Sequence, residues 1–210
     1  MHEQSKTYKN LALFDFDGTL CRTDSFTKFI FFSLSKMDII KKGIKVSPWI
    51  LAYYFRVYPA HYMRPKLFYT LFKSLPQSEI DQIAQCYAKL LLDQYLHPQI
   101  YQQLIKHQLL GDHVVLVSAS IDIYLKYICE YLNIDLICTK TEIKDQVYTG
   151  QFLSKDCSRV QKKQRILECY NLANYQYIFA YGNSIEDNEM LSLADFPYLI
   201  TDSVPLPLLE

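Results

Sequence analysis

The sequence predicts an α/β protein built on a doubly wound, mainly parallel sheet, with a helical insertion after the first strand and one β-hairpin. Two observations carry that expectation. From residue 98 onward, short apolar runs alternate with longer stretches of helical periodicity, the pattern of strands joined by crossover helices. Before that, residues 21–95 hold helical patterns alone and separate the first apolar run, 11–14, from the others. Half of the 210 residues are apolar and 15% are aromatic, enough for one well-buried core and a smaller appended unit.

Leu11-Ala12-Leu13-Phe14 reads as a strand that runs into Asp15-Phe16-Asp17-Gly18-Thr19-Leu20. If strand geometry continued, Asp15 and Asp17 would leave on the same face. Two carboxylates so close repel unless one keeps its proton or a cation offsets them, and both arrangements belong to active sites more than to cores. After Leu20, Phe26, Phe29 and Ile30 with Ser33 or Leu34 hold a helical face, and Asp24 or Ser25 can cap its start. Gly43 and Ser47-Pro48 interrupt it, 49–58 is aromatic and apolar on nearly every side, and Pro59 and Pro65 bracket a short connection. Ser78 can then cap a helix with Ile80, Ile83, Ala84, Tyr87 and Leu91 on one face.

Pro98 suits the first turn of the next helix and Gly111 its end. A buried strand over 113–117 ends in Ser118-Ala119-Ser120, a helix over 121–132 stops at Asn133, and 136–139 is a strand. Residues 141–152, with Asp145-Gln146 at the middle, form a hairpin. A helix over 158–170, a strand over 177–181, a helix over 185–194 and a strand over 197–200 follow, and 201–210 is expected to be irregular. The domain expectation is a core of 1–20 and 96–210 with 21–95 inserted.

Open parallel sheets bind ligands beyond the carboxyl ends of their strands. Three segments join Asp15 and Asp17 there. Ser118 offers a hydroxyl to an anionic oxygen; Lys162, with Lys163 as its competitor, offers a point charge; and Gly182-Asn183-Ser184-Ile185-Glu186-Asp187 brings an amide and a carboxylate. Taken singly, Ser118 reads as a helix cap, Lys162 as a solvated lysine and Asp187 as a first-turn acid. Their order, and their common place after strands, makes them a site.

DFDGTL at 15–20, the strand end Ser118-Ala119-Ser120, the stretch 150–157 followed by Lys162, and YGNSIEDNEML at 181–191 resemble the four motifs of the haloacid dehalogenase superfamily. The spacing, and the helical insertion directly after the first motif, are similar to its phosphoserine-phosphatase-like branch. The resemblance spans 11–200 and implies a Rossmann-like core, a cap formed by 21–95, and a phosphatase. It makes Asp15 the nucleophile that becomes an aspartyl phosphate and Asp17 the general acid and base. Thr19, Ser118 and Lys162 become phosphate ligands. Mg2+ falls to Asp15, the Asp17 backbone carbonyl, Asp187 and, directly or through water, Asn183. A metal and a lysine suit a transfer in which charge spreads over the equatorial phosphoryl oxygens.

The fourth motif of that superfamily usually reads Gly-Asp-Ser, so Asn183 removes a negative charge from a hard-cation site and predicts weaker metal binding, without loss of activity. Ser118-Ala119-Ser120 lacks the glycine pair usual in phosphoserine phosphatases, which places phosphoserine behind other substrates. The alternatives are a phosphoserine phosphatase, a phosphotransferase to an alcohol, and a non-catalytic phosphate-binding module. The second aspartate and the large insertion speak against the last.

Lysine plus arginine and aspartate plus glutamate number 22 each, with pI near 6.9, so bulk charge gives no support to a nucleic-acid partner. Six cysteines without a CxxC pair read as reduced, mostly packed thiols. The polar stretch 1–10 and the short apolar run after it do not form a signal peptide, and no apolar stretch approaches the ~20 residues of a membrane span. The expected location is the cytoplasm. Locally, 36–66 holds Lys36, Lys41, Lys42, Lys45, Arg56, Arg64 and Lys66 against Asp38 alone, interleaved with Trp49, Tyr53, Tyr54, Phe55, Tyr58 and Tyr62. That suits an anionic, partly apolar partner: a lipid or small-molecule phosphomonoester, or peripheral contact with a membrane surface. The plainer reading is an aromatic core with a wet lysine rim.

Overall fold

The computed structural model describes residues 9–55, 57–200 and 206–209. Residues 1–8, Arg56, 201–205 and Glu210 lie outside the described residues, as do the side chains of Lys45, Tyr53 and Tyr54; the basic and aromatic cluster is therefore described in part, and the expected irregular tail at 206–209 only.

In chain order, β1 (Leu11–Phe14) is followed by α1 (Ser25–Ser33), α2 (Lys36–Gly43), α3 (Ser47–Tyr54), α4 (Ala60–Phe72), α5 (Gln77–Gln94) and α6 (Pro98–Leu109). Then come β2 (His113–Ile121), α7 (Asp122–Leu132), β3 (Asp135–Thr139), the hairpin β4 (Thr141–Lys144) and β5 (Val147–Phe152), α8 (Val160–Cys169), β6 (Ile178–Gly182), α9 (Asn188–Leu191) and β7 (Phe196–Leu199). The main sheet is parallel throughout, in the order β3-β2-β1-β6-β7. Leu11 to Phe14 pair with His113 to Leu116 on one side and with Ile178 to Tyr181 on the other. All of β1 is buried, as a central parallel strand requires. The sheet grows to one side of β1 through β2 and β3 and to the other through β6 and β7. That reversal leaves a crevice beyond the carboxyl end of β1.

Alternate residues of β1 face opposite layers. Leu11 and Leu13 meet Val115, Val117, Ile166 and Met190. Ala12 and Phe14 meet a larger cluster that continues through Phe29, Phe68 and Phe72 of the inserted helices. The insertion thus shares its core with one sheet face.

Three departures from the expected elements have local causes. Pro65 does not bracket a connection: α4 runs through it. The ring removes a single main-chain donor near the helix start, and Met63, Phe68, Leu71 and Phe72 become buried in return. Ser78 does not cap α5, which starts one residue earlier; the Gln77 N–H is instead bonded to the Gln146 carbonyl at 2.8 Å, so the hairpin turn satisfies a first-turn donor. The helix expected over 185–194 is a 3₁₀ turn at Ile185–Asp187 followed by the short α9, because Ser184 and Asp187 cap each other reciprocally. In addition β2 runs past the expected 117 to Ile121. The hairpin turns where expected, with Asp145 and Gln146 at φ 50° and 62°, and Asn133 at φ 52° ends α7. Gly150, at φ 82°, lies under α4: a Cβ there would sit 3.0 Å from Tyr69 Cα.

All six cysteines are free thiols, Cys21, Cys129, Cys138 and Cys157 buried and Cys86 and Cys169 exposed. Among the described residues no helix is long and apolar enough to cross a membrane.

Beneath the sheet, buried His107 has Nδ1 2.8 Å from Asp112 Oδ2 and Nε2 2.9 Å from the Tyr181 hydroxyl, while Asp112 Oδ1 accepts from Asn10 Nδ2 at 2.8 Å. Asp112 selects the neutral tautomer with its proton on Nδ1, leaving Nε2 to accept from Tyr181. Burial pushes the imidazole pKa below its usual 6.5, against the opposing pull of Asp112. The folded pKa lies below the unfolded one, so this stabilisation is complete above about 6.5 and is lost as pH falls through the folded value. The urea midpoint of the protein should therefore drop on acidification from about pH 7.5 to about pH 5, and drop less in His107→Gln, which has no imidazole to charge. Equal drops would assign the acid loss to other groups.

Candidate active site

The strand ends at Phe14, and the chain after it turns rather than continuing the pleat: the Thr19 and Cys21 N–H groups bond to the Phe16 carbonyl at 3.2 and 2.8 Å, and the Gly18 N–H to the Cys21 carbonyl at 2.7 Å. Asp15 and Asp17 are therefore placed by a loop, and the expectation of a shared strand face does not hold. Gly18, at φ 83°, is needed twice over, because a Cβ there would fall 2.1 Å from Asn183 Nδ2 on the loop after β6.

Lys162, in the first turn of α8, reaches back under Asp15. Its side chain is only 1% exposed, and Nζ lies 2.5 Å from Asp15 Oδ1, 2.6 Å from Asp187 Oδ1 and 2.9 Å from the Val117 carbonyl. Three acceptors meet the three ammonium donors. Burial would lower the lysine pKa, and the two carboxylates outweigh it, so the group stays charged. Asp15 is pushed up to about 7, first by burial, with Lys162 opposing and Asp187 adding to the rise. Lys163 is not the residue in question: it points outward, with Nζ 3.2 Å from Ser192 Oγ.

Asp187 is held in place through its other oxygen, which accepts from the Asn183 N–H at 3.1 Å and from the Ser184 N–H and hydroxyl at 3.0 Å each. The Thr19 hydroxyl donates to Asp15 Oδ2 at 3.0 Å and lies 3.4 Å from Asn183 Oδ1. Asp15, Thr19, Lys162, Asn183 and Asp187 thus converge. Ser118 is buried on β2, next to the Val117 carbonyl that Lys162 touches, and its hydroxyl accepts the Ser120 N–H at 3.1 Å.

Asp17 faces elsewhere, toward a cavity of about 330 Å³ between the sheet end and the inserted helices. Its Oδ1 accepts the Ser25 N–H at 2.6 Å and its Oδ2 the Ser120 hydroxyl at 2.5 Å. Behind them the Ser25 hydroxyl lies 3.2 Å from Ser120 Oγ and 2.8 Å from the Tyr124 hydroxyl, and the Tyr87 hydroxyl donates to the Ser25 carbonyl at 2.7 Å. Burial raises the Asp17 pKa, and the bonds from Ser120 and Ser25 pull it partly back. From the sequence, Ser120 reads only as the end of a strand and Ser25 only as an alternative helix cap. Arg64 was legible only as one of several basic residues. It binds Asp156 through Nε and Nη2 at 2.7 and 2.9 Å and Glu186 at 3.3 Å, tying α4 to two loops of the sheet layer.

For a metal, the chain offers the carboxylates of Asp15 and Asp187, the Asn183 amide and the expected main-chain carbonyl of Asp17. Among the described residues no three His, Cys, Asp or Glu are grouped to hold a metal, so a site here would depend on the amide and carbonyl oxygens as well as the two acids. Its donors are all oxygen, it carries one negative charge in excess of Lys162, and the Gly18 and Asn183 loops approach closely enough to enclose it. That chemistry fits a hard divalent cation that keeps part of its water shell.

A doubly wound sheet whose central strand delivers an acid onto a buried lysine and a second acid defines the class: an α/β enzyme with its centre at the strand ends. Residues 12–192 match the haloacid dehalogenase-like hydrolase family, and the chain belongs to it. It is 25% identical over 187 residues to protein CicA of Caulobacter vibrioides, covering 88% of this chain and 83% of that protein. Among solved structures it is similar to a protein of unknown function from Bordetella pertussis Tohama I, with TM-score 0.72, 21% identity and coverage of 90% of this chain and 88% of the other. A probable phosphoserine phosphatase from Vibrio cholerae shares the fold with TM-score 0.64 at 16% identity, over 90% of this chain and 56% of its own.

Replacing Lys162 with Met leaves two buried carboxylates without their cation, which should cost about 3–5 kcal/mol of stability in urea unfolding. Adding Asp15→Asn to that variant should recover part of the loss, since one uncompensated charge is gone. Wild-type stability in Lys162→Met would mean that the lysine does not hold the pair.

Proposed function

We propose that this hydrolase is a Mg2+-dependent phosphatase that cleaves a phosphomonoester through an aspartyl phosphate on Asp15. The observation that carries the reading is the placement of Asp15 at the end of the central strand, 2.5 Å from a buried, charged Lys162. An Asp15 oxygen attacks phosphorus in line, the bond from phosphorus to the organic oxygen breaks, and Asp17 gives that oxygen its proton. Asp17 then takes a proton from water, the water oxygen attacks phosphorus, and the bond to Asp15 breaks to release inorganic phosphate. Lys162, Thr19 and Ser118 bind the phosphoryl oxygens in both steps. Bound Mg2+ would supply positive charge to the same oxygens, held by Asp15, Asp187, Asn183 and the Asp17 carbonyl.

Support for the role of Asp17 comes from burial, which raises its pKa and so favours the protonated form a general acid needs, and from hydrogen bonds that fix both of its oxygens. Residues 21–95 serve as the cap in this reading, seated on the core by the Arg64 ion pairs. The substrate is a small-molecule or lipid phosphomonoester. Six free cysteines agree with action in the reducing cytoplasm.

The test is release of inorganic phosphate from amino-acid, sugar, nucleotide and lipid phosphates, with and without Mg2+. Release should require Mg2+ and fall by about 10³-fold or more in Asp15→Asn. No release from any of these compounds would overturn the proposal. Separately, Asn183→Asp should tighten Mg2+ binding in calorimetric titration, and unchanged affinity would remove Asn183 from the metal.

A further inference from the structure

The cavity in front of Asp17 runs between α1, α2, α3 and α4, and its about 330 Å³ is within the range of small-molecule sites, roughly 300–1,000 Å³. Asp17 and Ser120 stand at its floor, and Phe26, Ile30, Val46, Met63, Leu67 and Leu71 make up much of its wall. The charged groups on that wall already have partners. Arg64 is bound by Asp156 and Glu186, and the two oxygens of Asp24 accept from the Thr27 N–H at 2.9 Å and the Thr27 hydroxyl at 2.8 Å. An amino acid or a nucleoside entering here as leaving group would lose water against a mostly apolar wall whose charged groups are engaged with the protein's own side chains. A hydrocarbon chain has no hydrogen bonds to water to give up and would gain burial that offsets its ordering.

The outside of the same helices is apolar as well. Ile39 and Gly43 of α2 line the cavity, while Met37, Ile40 and Ile44, at spacings of three and four, face outward, Ile44 at 70% exposure. Leu51 and Phe55, at the end of α3 and just beyond it, are exposed too, and Phe31 both lines the cavity and is 66% exposed, which puts it at the mouth. Exposed Lys36 and Lys41 flank the α2 stripe, and Lys66 lies 3.5 Å over the Trp49 ring. Apolar side chains facing water between lysines suit a helix that lies in a lipid interface, and Lys36, Lys41 and Lys66 against exposed Asp38 favour an anionic one. The same lysines would repel each other across a pairing of two copies of this face.

We propose that this face rests on an anionic bilayer and that the cavity takes the hydrocarbon part of a phosphomonoester drawn from it, so that the substrate is a membrane-borne amphiphile. The proposal rests on the phosphatase reading and specifies what the inserted helices select.

Two measurements on the full chain test it. In sedimentation with vesicles, the protein should pellet with phosphatidylcholine containing phosphatidylglycerol and not with phosphatidylcholine alone, and Ile40→Ser combined with Ile44→Ser should weaken pelleting at least about tenfold. Protein that stays in solution with both vesicles and runs as a dimer would overturn the bilayer in favour of a second copy; a monomer that binds neither would overturn it as well. In kinetics, kcat/KM for linear alkyl phosphates below their micelle concentrations should rise about fourfold per added methylene until the cavity is full. A flat dependence with steady turnover of p-nitrophenyl phosphate would overturn the chain site while leaving the phosphatase reading intact. Turnover of no phosphomonoester would overturn the phosphatase reading; calorimetric binding of dodecyl phosphate to Asp15→Asn would then still report on the cavity, and no binding would overturn that too. A chain-length gain in solution without vesicle binding would support the site and overturn the bilayer as its source.

Discussion

Everything at the strand ends depends on one ammonium group. Lys162 draws together Asp15 from the loop after β1, the Val117 carbonyl from β2 and Asp187 from the loop after β6, three separate segments that would otherwise present under-paired acceptors to a dry interior. Two carboxylates against one lysine leave a residual negative charge, with burial holding the Asp15 pKa up near 7. Such a charge is unfavourable as a structural element and useful as a cation and phosphoryl site. Apolar side chains in its place would give a quieter core. The fold keeps the charges, and this is the strongest physical reason to read the site as chemical.

The second constraint is closeness. Asn183 stands where the Cβ of any residue but glycine at position 18 would be, so the loops after β1 and β6 interlock. Asp187 is in turn tied to the Asn183 and Ser184 amides. The position of the second carboxylate is therefore set by the main chain, which moves far less than a side chain does. Preorganisation of this kind is what electrostatic stabilisation of a transferring phosphoryl group needs, because donors and charges are in place before the reaction begins.

How much of this was legible in the sequence follows from range. Thr19 enters only through the resemblance of its motif; the strands in chain order, with Asp15, Ser118 and Asp187 beyond their ends, are written in local patterns, an apolar run followed by polar residues. The choice between Lys162 and Lys163 was not, since adjacent helical residues differ by about 100° in direction and only the packed helix shows which one points inward. Ser25 was ambiguous for a similar reason, because a serine at a helix start looks like a cap, and the neighbouring Asp24 turned out to be the cap. Arg64 with Asp156, and Ser120 with Asp17, are 92 and 103 residues apart, and no local pattern announces such pairs. Pro65 misled because the cost of a proline in a helix is a local quantity, whereas the burial that outweighs it is not.

Asp17 marks the seam between the two halves of the molecule. One of its oxygens is held by Ser25, the first residue of the inserted helices, and the other by Ser120, near the end of β2. The hydroxyls of Tyr87 and Tyr124, from α5 and α7, then fix Ser25 itself. The Asp17 carboxylate is thus held through both oxygens only when the insertion is seated on the sheet, a seating the Arg64 ion pairs secure from the other side. The helices that build the cavity wall also hold one oxygen of the acid at its floor, through the Ser25 N–H. A leaving group that fits the wall would hold those helices down and, by the same contacts, keep Asp17 in place. One that does not fit would lose both. With Asp17 in its proposed role, selectivity would be coupled to proton transfer as well as to binding, which is how binding energy from a remote, unreactive part of a substrate enters a chemical step.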